Sequence, residues 1–334
     1  MRPLTIGEIL DQAFRLYRKN FLTFLGIVAL IYIPFSPLNA LLSYFMTASL
    51  TNRAPSPFLP IQYWISFIGT MILAVTQFMV VGVALSRAIA MTYAGHSISV
   101  TDAFRQMGKT WFRVPGVVAI YFILTLLAGI WMLIPCVGWL SGLGILLYLG
   151  IAIMPLLAPI MSLEKQGALA TFRRAWDLAR ARFWWLVGFV LLLTILSWII
   201  VNGPVILVSS VLNLILESQI GTGAQTVWTV IVQALVQVIG SVLYLPLQMG
   251  AMTVLYFDLR VRFEGLDIAL QASADSGVET NIVTLAETLP QPNPTLITGT
   301  EIGYFVLLTL AFIAVYTIIV GIIFGLGLLM VAGL

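Results

Sequence analysis

AFRLYRKNF from Ala13, AFRQMGKTW from Ala103 and AWDLARARF from Ala175 align over nine residues without a gap. Counted from each alanine, small or apolar residues recur at offsets 0, 1, 4 and 8: Ala13, Phe14, Tyr17 and Phe21; Ala103, Phe104, Met107 and Trp111; Ala175, Trp176, Ala179 and Phe183. Those offsets mark one face of an α-helix. The opposite face carries Arg15, Arg18 and Lys19 in the first copy, Arg105 and Lys109 in the second, and Arg174, Arg180 and Arg182 in the third. Cationic amphipathic helices of this kind lie in a membrane interface. Thr5 and Glu8 have capping-box spacing and predict where the first helix starts.

Each copy stands directly before a long apolar run. The 334-residue chain is 60% hydrophobic and 9% charged, against about 45–50% and 25% in an ordinary soluble domain. A spanning helix needs about 20 apolar residues. Seven such runs are present: Phe21 to Met46, Ile61 to Thr92, Val114 to Ile134, Val137 to Ser162, Trp184 to Val201, Val227 to Phe257 and Ile302 to Val331. Kinks are expected at Pro34, Pro37, Pro155, Pro159 and Pro246, where a backbone donor is missing. Gly203 and Pro204 are expected to end the fifth span and leave Val205 to Leu216 as a short helix at the surface.

The chain therefore reads as an all-α integral membrane protein of about seven transmembrane helices. Three repeats, about 1–95, 96–167 and 168–267, each pair an interfacial helix with a transmembrane hairpin and together make a six-span domain over residues 1–267. Two spans per unit preserve orientation, so the repeats are parallel about an axis near the membrane normal. Residues 268–300 are rich in Ser, Thr, Pro and acids and read as a flexible linker. A seventh span follows over 301–334.

Of the 16 Lys and Arg residues, only Arg53 falls in a loop on the side away from the N-terminus. The positive-inside rule then puts the N-terminus and linker in the cytoplasm of a bacterial inner membrane and the C-terminus outside. No cleavage pattern follows the first apolar run, so that span is expected to be retained.

Chemistry is thinly represented. With one cysteine, Cys136, and one histidine, His96, the chain offers neither a disulfide, a thiolate metal cage nor a redox pair. His96 reads as a solvated loop residue and Cys136 as a buried, inert thiol. No catalytic, metal or cofactor residues are expected, and basic residues scattered along membrane edges do not suit nucleic acid.

Span six carries the most informative polar pattern. Gln233, Gln237, Ser241, Tyr244 and Gln248 follow at steps of four, four, three and four and share a face. In hydrocarbon such a face must meet water or protein. It lines a cavity for a headgroup or solute, or it makes interhelical hydrogen bonds of about 0.6 kcal/mol each. Gln77, with Thr70 and Ser66, is the candidate partner across the bundle. At the end of span six, Asp258, Arg260, Arg262 and Glu264 read as a structural clasp to the interfacial helices, or else as a headgroup or partner site. An exposed Asp258–Arg262 pair would contribute only about 0.3–0.5 kcal/mol. Gly321 and Gly325, like Gly138 and Gly142, have GxxxG spacing. Close packing follows, for span seven either on its own bundle or on a second copy in a homodimer.

Three stretches carry a resemblance: LTIGEILDQAFRLYRKNF from Leu4, ATFRRAWDLARARFWWLVGF from Ala170 and LYFDLRVRFEGLDIAL from Leu255. Together they resemble the membrane domain that precedes the catalytic barrel in some bacterial glycerophosphodiester phosphodiesterases. The resemblance covers about residues 1 to 270 and implies a membrane module tied to lipid metabolism or envelope maintenance. It does not imply hydrolysis, because that activity resides in a separate barrel with paired histidines. The first expectation for function is a non-enzymatic membrane protein that binds anionic lipid or an envelope partner. The alternatives are a transporter or lipid-translocating protein using span six, and a membrane subunit that recruits a separate phosphodiesterase.

Overall fold

The structure is a computed structural model that describes residues 4–51, 59–96, 98–164, 166–216, 222–266, 268 and 298–331. Of the expected linker 268–300, positions 269–297 lie outside these residues. Seven helices are long and apolar enough to cross a membrane: Phe21–Leu50, Ile61–Tyr93, Thr110–Trp131, Val137–Leu163, Phe183–Leu212, Val227–Glu264 and Gly299–Gly321, here spans one to seven. Amphipathic helices Ile6–Lys19, Val100–Met107 and Ala168–Ala181 precede spans one, three and five. The fold is thus three units of amphipathic helix plus hairpin, followed by one further span.

The amphipathic helices start where local chemistry dictates. Thr5 accepts from the Glu8 backbone N–H while Glu8 accepts from the Thr5 N–H at 2.8 Å, completing the capping box. Ser99 accepts from the Asp102 N–H at 3.1 Å and caps the second helix. The repeat alanines Ala13, Ala103 and Ala175 are all buried. The aromatic offsets diverge, with Phe14 exposed and Phe183 buried.

Each unit closes on the one before it. The first amphipathic helix packs on span six, the second on spans one and two, and the third on spans three and four. A glycine sits at each of these contacts. A Cβ built on Gly250 would lie 3.6 Å from that of Ala13, one on Gly26 3.1 Å from Val100 Cγ2, and one on Gly116 3.4 Å from Ala168 Cβ. Small residues let the backbones approach where dispersion, rather than water exclusion, holds helices together.

Spans two, four and six form the inner triangle, and one, three and five occupy the spaces outside it. Burial follows that division: 50% and 61% of the most apolar stretches of spans two and four are buried, against 22% in spans one and three. The inner three converge at Gly82, where an added Cβ would stand 2.5 Å from Ala158 Cβ and 3.3 Å from Met249 Sδ.

Two expectations from sequence need correction. Span five does not end at Gly203 and Pro204, and Val205 to Leu216 is not a separate surface helix. A π-helical turn over Trp198–Asn202 leads straight into the helix Gly203–Leu216, which packs on span six. Tyr148–Ile153 forms the same kind of turn just before Pro155. Widening the helix by one residue accommodates the proline ring and its missing N–H. Cys136 is exposed rather than buried, and takes a positive φ of 63° in the turn between spans three and four.

Gly138 and Gly142 close that hairpin against Trp131 and Met132. Gly144 meets the backbone of Phe305 and seats span seven on span four. Gly321 has nothing within 4 Å, and the surroundings of Gly325 lie outside the described residues.

The central crossing yields a contrast. Gly82→Ala should lower stability by about 1–3 kcal/mol through overpacking, whereas Gly321→Ala should leave it unchanged. Thermal unfolding of both variants in one detergent measures the difference, and equal midpoints would contradict the packing described.

Candidate functional site

Two polar regions lie at different depths. At the end of the bundle that bears the amphipathic helices, span six presents four charges in two interlocked sets. Asp258 is buried, accepts from the Leu4 N–H at 2.7 Å and pairs with Arg262 Nε at 2.8 Å. Arg262 Nη2 in turn donates to the Leu4 carbonyl at 2.6 Å. The pair is therefore not the exposed i, i+4 contact expected from sequence, because the N-terminal segment covers it.

The second set is centred on Glu164, which is 4% exposed. Arg174 Nε donates to both its oxygens at 3.0 and 3.1 Å, and the Tyr256 hydroxyl donates to Oε1 at 2.8 Å. Arg260 donates to the Tyr256 oxygen at 3.1 Å and pairs with Glu264 at 2.8 Å, and Glu264 also pairs with Arg174 at 2.5 Å. Burial raises the Glu164 pKa above the ordinary carboxylate range against the pull of Arg174. Burial also opposes the charge on Arg174, but Glu164 and Glu264 outweigh it and its pKa is raised. Neither Glu164 nor Tyr256 stood out in the sequence, since both sit at the ends of apolar runs and gain meaning only once spans four and six are paired.

The cations expected to face headgroups divide accordingly. Arg174 is held by Glu164 and Glu264, and Arg180 pairs with Glu301 at the start of span seven at 2.7 Å. Arg182 stacks over Trp185 at 4.5 Å. Arg15, Arg18, Lys19 and Arg105 are exposed. The Lys109 side chain lies outside the described residues. His96 is exposed, and among the described residues no group of three or more His, Cys, Asp and Glu is placed to hold a metal.

The second region is a cavity of about 550 Å³ on the far side of the central crossing, where the inner spans part. Gln237 and Ser241 of span six line it, together with Gln77 and Thr70 of span two. The rest of the predicted stripe turns elsewhere: the Tyr244 hydroxyl donates to the Leu193 carbonyl in span five at 2.5 Å, and Gln233 and Gln248 do not line the cavity. Ser66 is buried and its carbonyl accepts from Thr70 Oγ1 at 2.8 Å.

Span one supplies a face that the sequence reading missed. Tyr32, Ser36, Asn39 and Ser43 line the cavity at steps of four, three and four, the same signal as in span six. Asn39 Nδ2 donates to Gln77 Oε1 at 2.9 Å. Gln77 is 3% exposed, and its Nε2 has no hydrogen-bond partner. A buried donor left unpaired costs about 1–3 kcal/mol.

Comparison with family models, with curated proteins and with solved structures finds no match for the chain.

The Glu164 cluster should behave as a unit. Glu164→Leu should cost about 3–5 kcal/mol, because it leaves Arg174 and Arg260 short of a buried counter-charge. Adding Arg174→Met should recover part of that loss. Unfolding midpoints of the single and double variants test the coupling, and strict additivity would refute it.

Proposed function

We propose that the protein is a non-enzymatic, lipid-binding protein of a bacterial inner membrane, with its N-terminus in the cytoplasm, its C-terminus outside, and anionic lipid engaged at the charged end. The observation that carries this reading is the first amphipathic helix. Ile9 and Ala13 are buried against the bundle while Arg15, Arg18 and Lys19 on the other side are exposed. Arg105 is exposed on the second helix. At the cytoplasmic leaflet each such cation contributes about 1 kcal/mol of attraction to anionic lipid. Among the described residues no ion pair holds these four, in contrast to Arg174 and Arg180.

Passage of a solute or lipid along span six is the alternative. Gln237 and Ser241 give it a cavity, but the crossing of Gly82, Ala158 and Met249 blocks the way to the charged end. That arrangement favours holding a ligand over conducting one. Recruitment of a separate phosphodiesterase rests on the sequence resemblance alone.

Two measurements test the proposal. In a Cys136→Ser background, an impermeant thiol reagent applied to intact cells should label a cysteine at Ser56 and not one at Ser276; labelling at Ser276 would overturn the orientation. Changing Arg15, Arg18, Lys19 and Arg105 together to Gln should then reduce co-purifying anionic lipid by several kcal/mol in sum, with insertion retained. Unchanged lipid at both low and high salt, in correctly oriented protein, would reduce these cations to topology signals.

A further inference from the structure

Beside the polar cavity lies a second, apolar one. A groove of about 440 Å³ runs between spans two and three, lined by Trp64, Phe67, Ile68, Ile130 and Leu133 among others. From Trp64 to Val75 it follows span two for about 16 Å at 1.5 Å per residue. Met71, Val75, Tyr121 and Thr125 line both the groove and the cavity. Only that layer of side chains separates the apolar groove from the polar cavity between spans one, two and six.

We propose that the two form one site for a single lipid molecule with an uncharged, hydroxyl-bearing head, of the diacylglycerol or glycosyl diacylglycerol class. The head occupies the cavity, and an acyl chain passes between spans two and three into the groove. This site is separate from the anionic-lipid surface at the charged end and does not depend on it.

The chemistry of the walls selects the head. The polar lining consists of hydroxyls and amides, among them Tyr32, Ser36, Asn39, Gln77, Gln237 and Ser241, and among the described residues no Lys, Arg, His, Asp or Glu takes part. A phosphate seated against this lining would give up part of its hydration and meet no counter-charge among the described residues, which is unfavourable. A hydroxyl loses far less, and Gln77, which lines the cavity with its buried Nε2 unpaired, supplies a donor to it once the wall around that atom yields. Asn39 fixes the other end of that amide, so the donor is oriented before a ligand arrives. Both volumes fall within the range of about 300–1,000 Å³ found for small-molecule sites. Met71 is unbranched and adaptable, which suits a residue that must give way to a chain.

The test uses the full-length protein, stripped of lipid in mild detergent and titrated by native mass spectrometry with dioleoylglycerol or dioleoyl phosphatidylglycerol. The parent should retain one dioleoylglycerol that phosphatidylglycerol does not displace. Gln77→Leu should weaken that retention about tenfold, the size of one good hydrogen bond. Val75→Phe should weaken it by narrowing the gap between spans two and three. Gln237→Leu, at an exposed position of the lining, should weaken it without risk to folding. Elution and melting profiles exclude misfolded variants. Absence of retained dioleoylglycerol in the parent, its displacement by phosphatidylglycerol, or undiminished retention in Gln77→Leu and Gln237→Leu would each overturn the proposal.

Discussion

The meeting of the three inner spans is set by a missing side chain. At Gly82, span two comes near enough to Ala158 of span four and Met249 of span six that one added methyl would have to displace a neighbour. Lipid tails are as apolar as leucine, so helices in a bilayer gain little from burying apolar surface and must gain from contact itself. Contact of that quality requires small residues at the crossing. Beyond that crossing, away from the charged end, spans one, two and six line the polar cavity. The outer spans fill the grooves between the inner ones, and each amphipathic helix reaches back under the preceding hairpin through a glycine contact at Gly26, Gly116 or Gly250.

At the other end, ion pairs hold together parts distant in sequence. Leu4 meets Asp258 and Arg262, while Glu164 meets Arg174, Tyr256 and Arg260. Such clusters add little net stability, since desolvating the charges costs about as much as pairing them returns. Their effect is on alternatives. Any slip of span six along its axis would separate Asp258 from Leu4 and Glu264 from Arg174 together, leaving several buried charges unpaired. The glycine crossing fixes how close the helices lie, and the charges fix how far along one another they sit.

Much of this architecture could be read from residue order. The alanine at offset zero marked the buried side of all three amphipathic helices because a helix lying flat under a bundle has room there for a methyl group and little more. Tyr17, Phe14 and Phe183, at the same nominal face, are distributed differently because tertiary contacts, unlike helical phase, differ between the units. The Gly203–Pro204 pair misled because sequence signals breakage, while the π-helical turn before it absorbs the proline without a break. Asp258 and Arg262 looked like a solvated i, i+4 pair, since nothing local indicates that residue 4 lies over them. Two of the five residues in the span-six stripe reach the cavity and three do not: a helical face spans a wide arc, and Tyr244 lies far enough around it to meet span five instead. Asn39 lies on an equally periodic polar face of span one, whose meaning depends on Gln77 across the interface.

The segregation of polar chemistry by depth bears on what the bundle can recognise. Every charge in the described bundle whose partners are known lies toward one end, where headgroups and water can share the work of solvation. The lining of the cavity beyond the crossing is neutral. In a medium where an unpaired charge is far more expensive than an unpaired amide, this is a division between two kinds of selectivity. A cationic edge ranks lipids by charge and is weakened by salt. A neutral cavity ranks them by hydrogen-bond geometry. On the proposed reading, a protein with both surfaces responds separately to how much anionic lipid surrounds it and to whether a particular uncharged lipid is present.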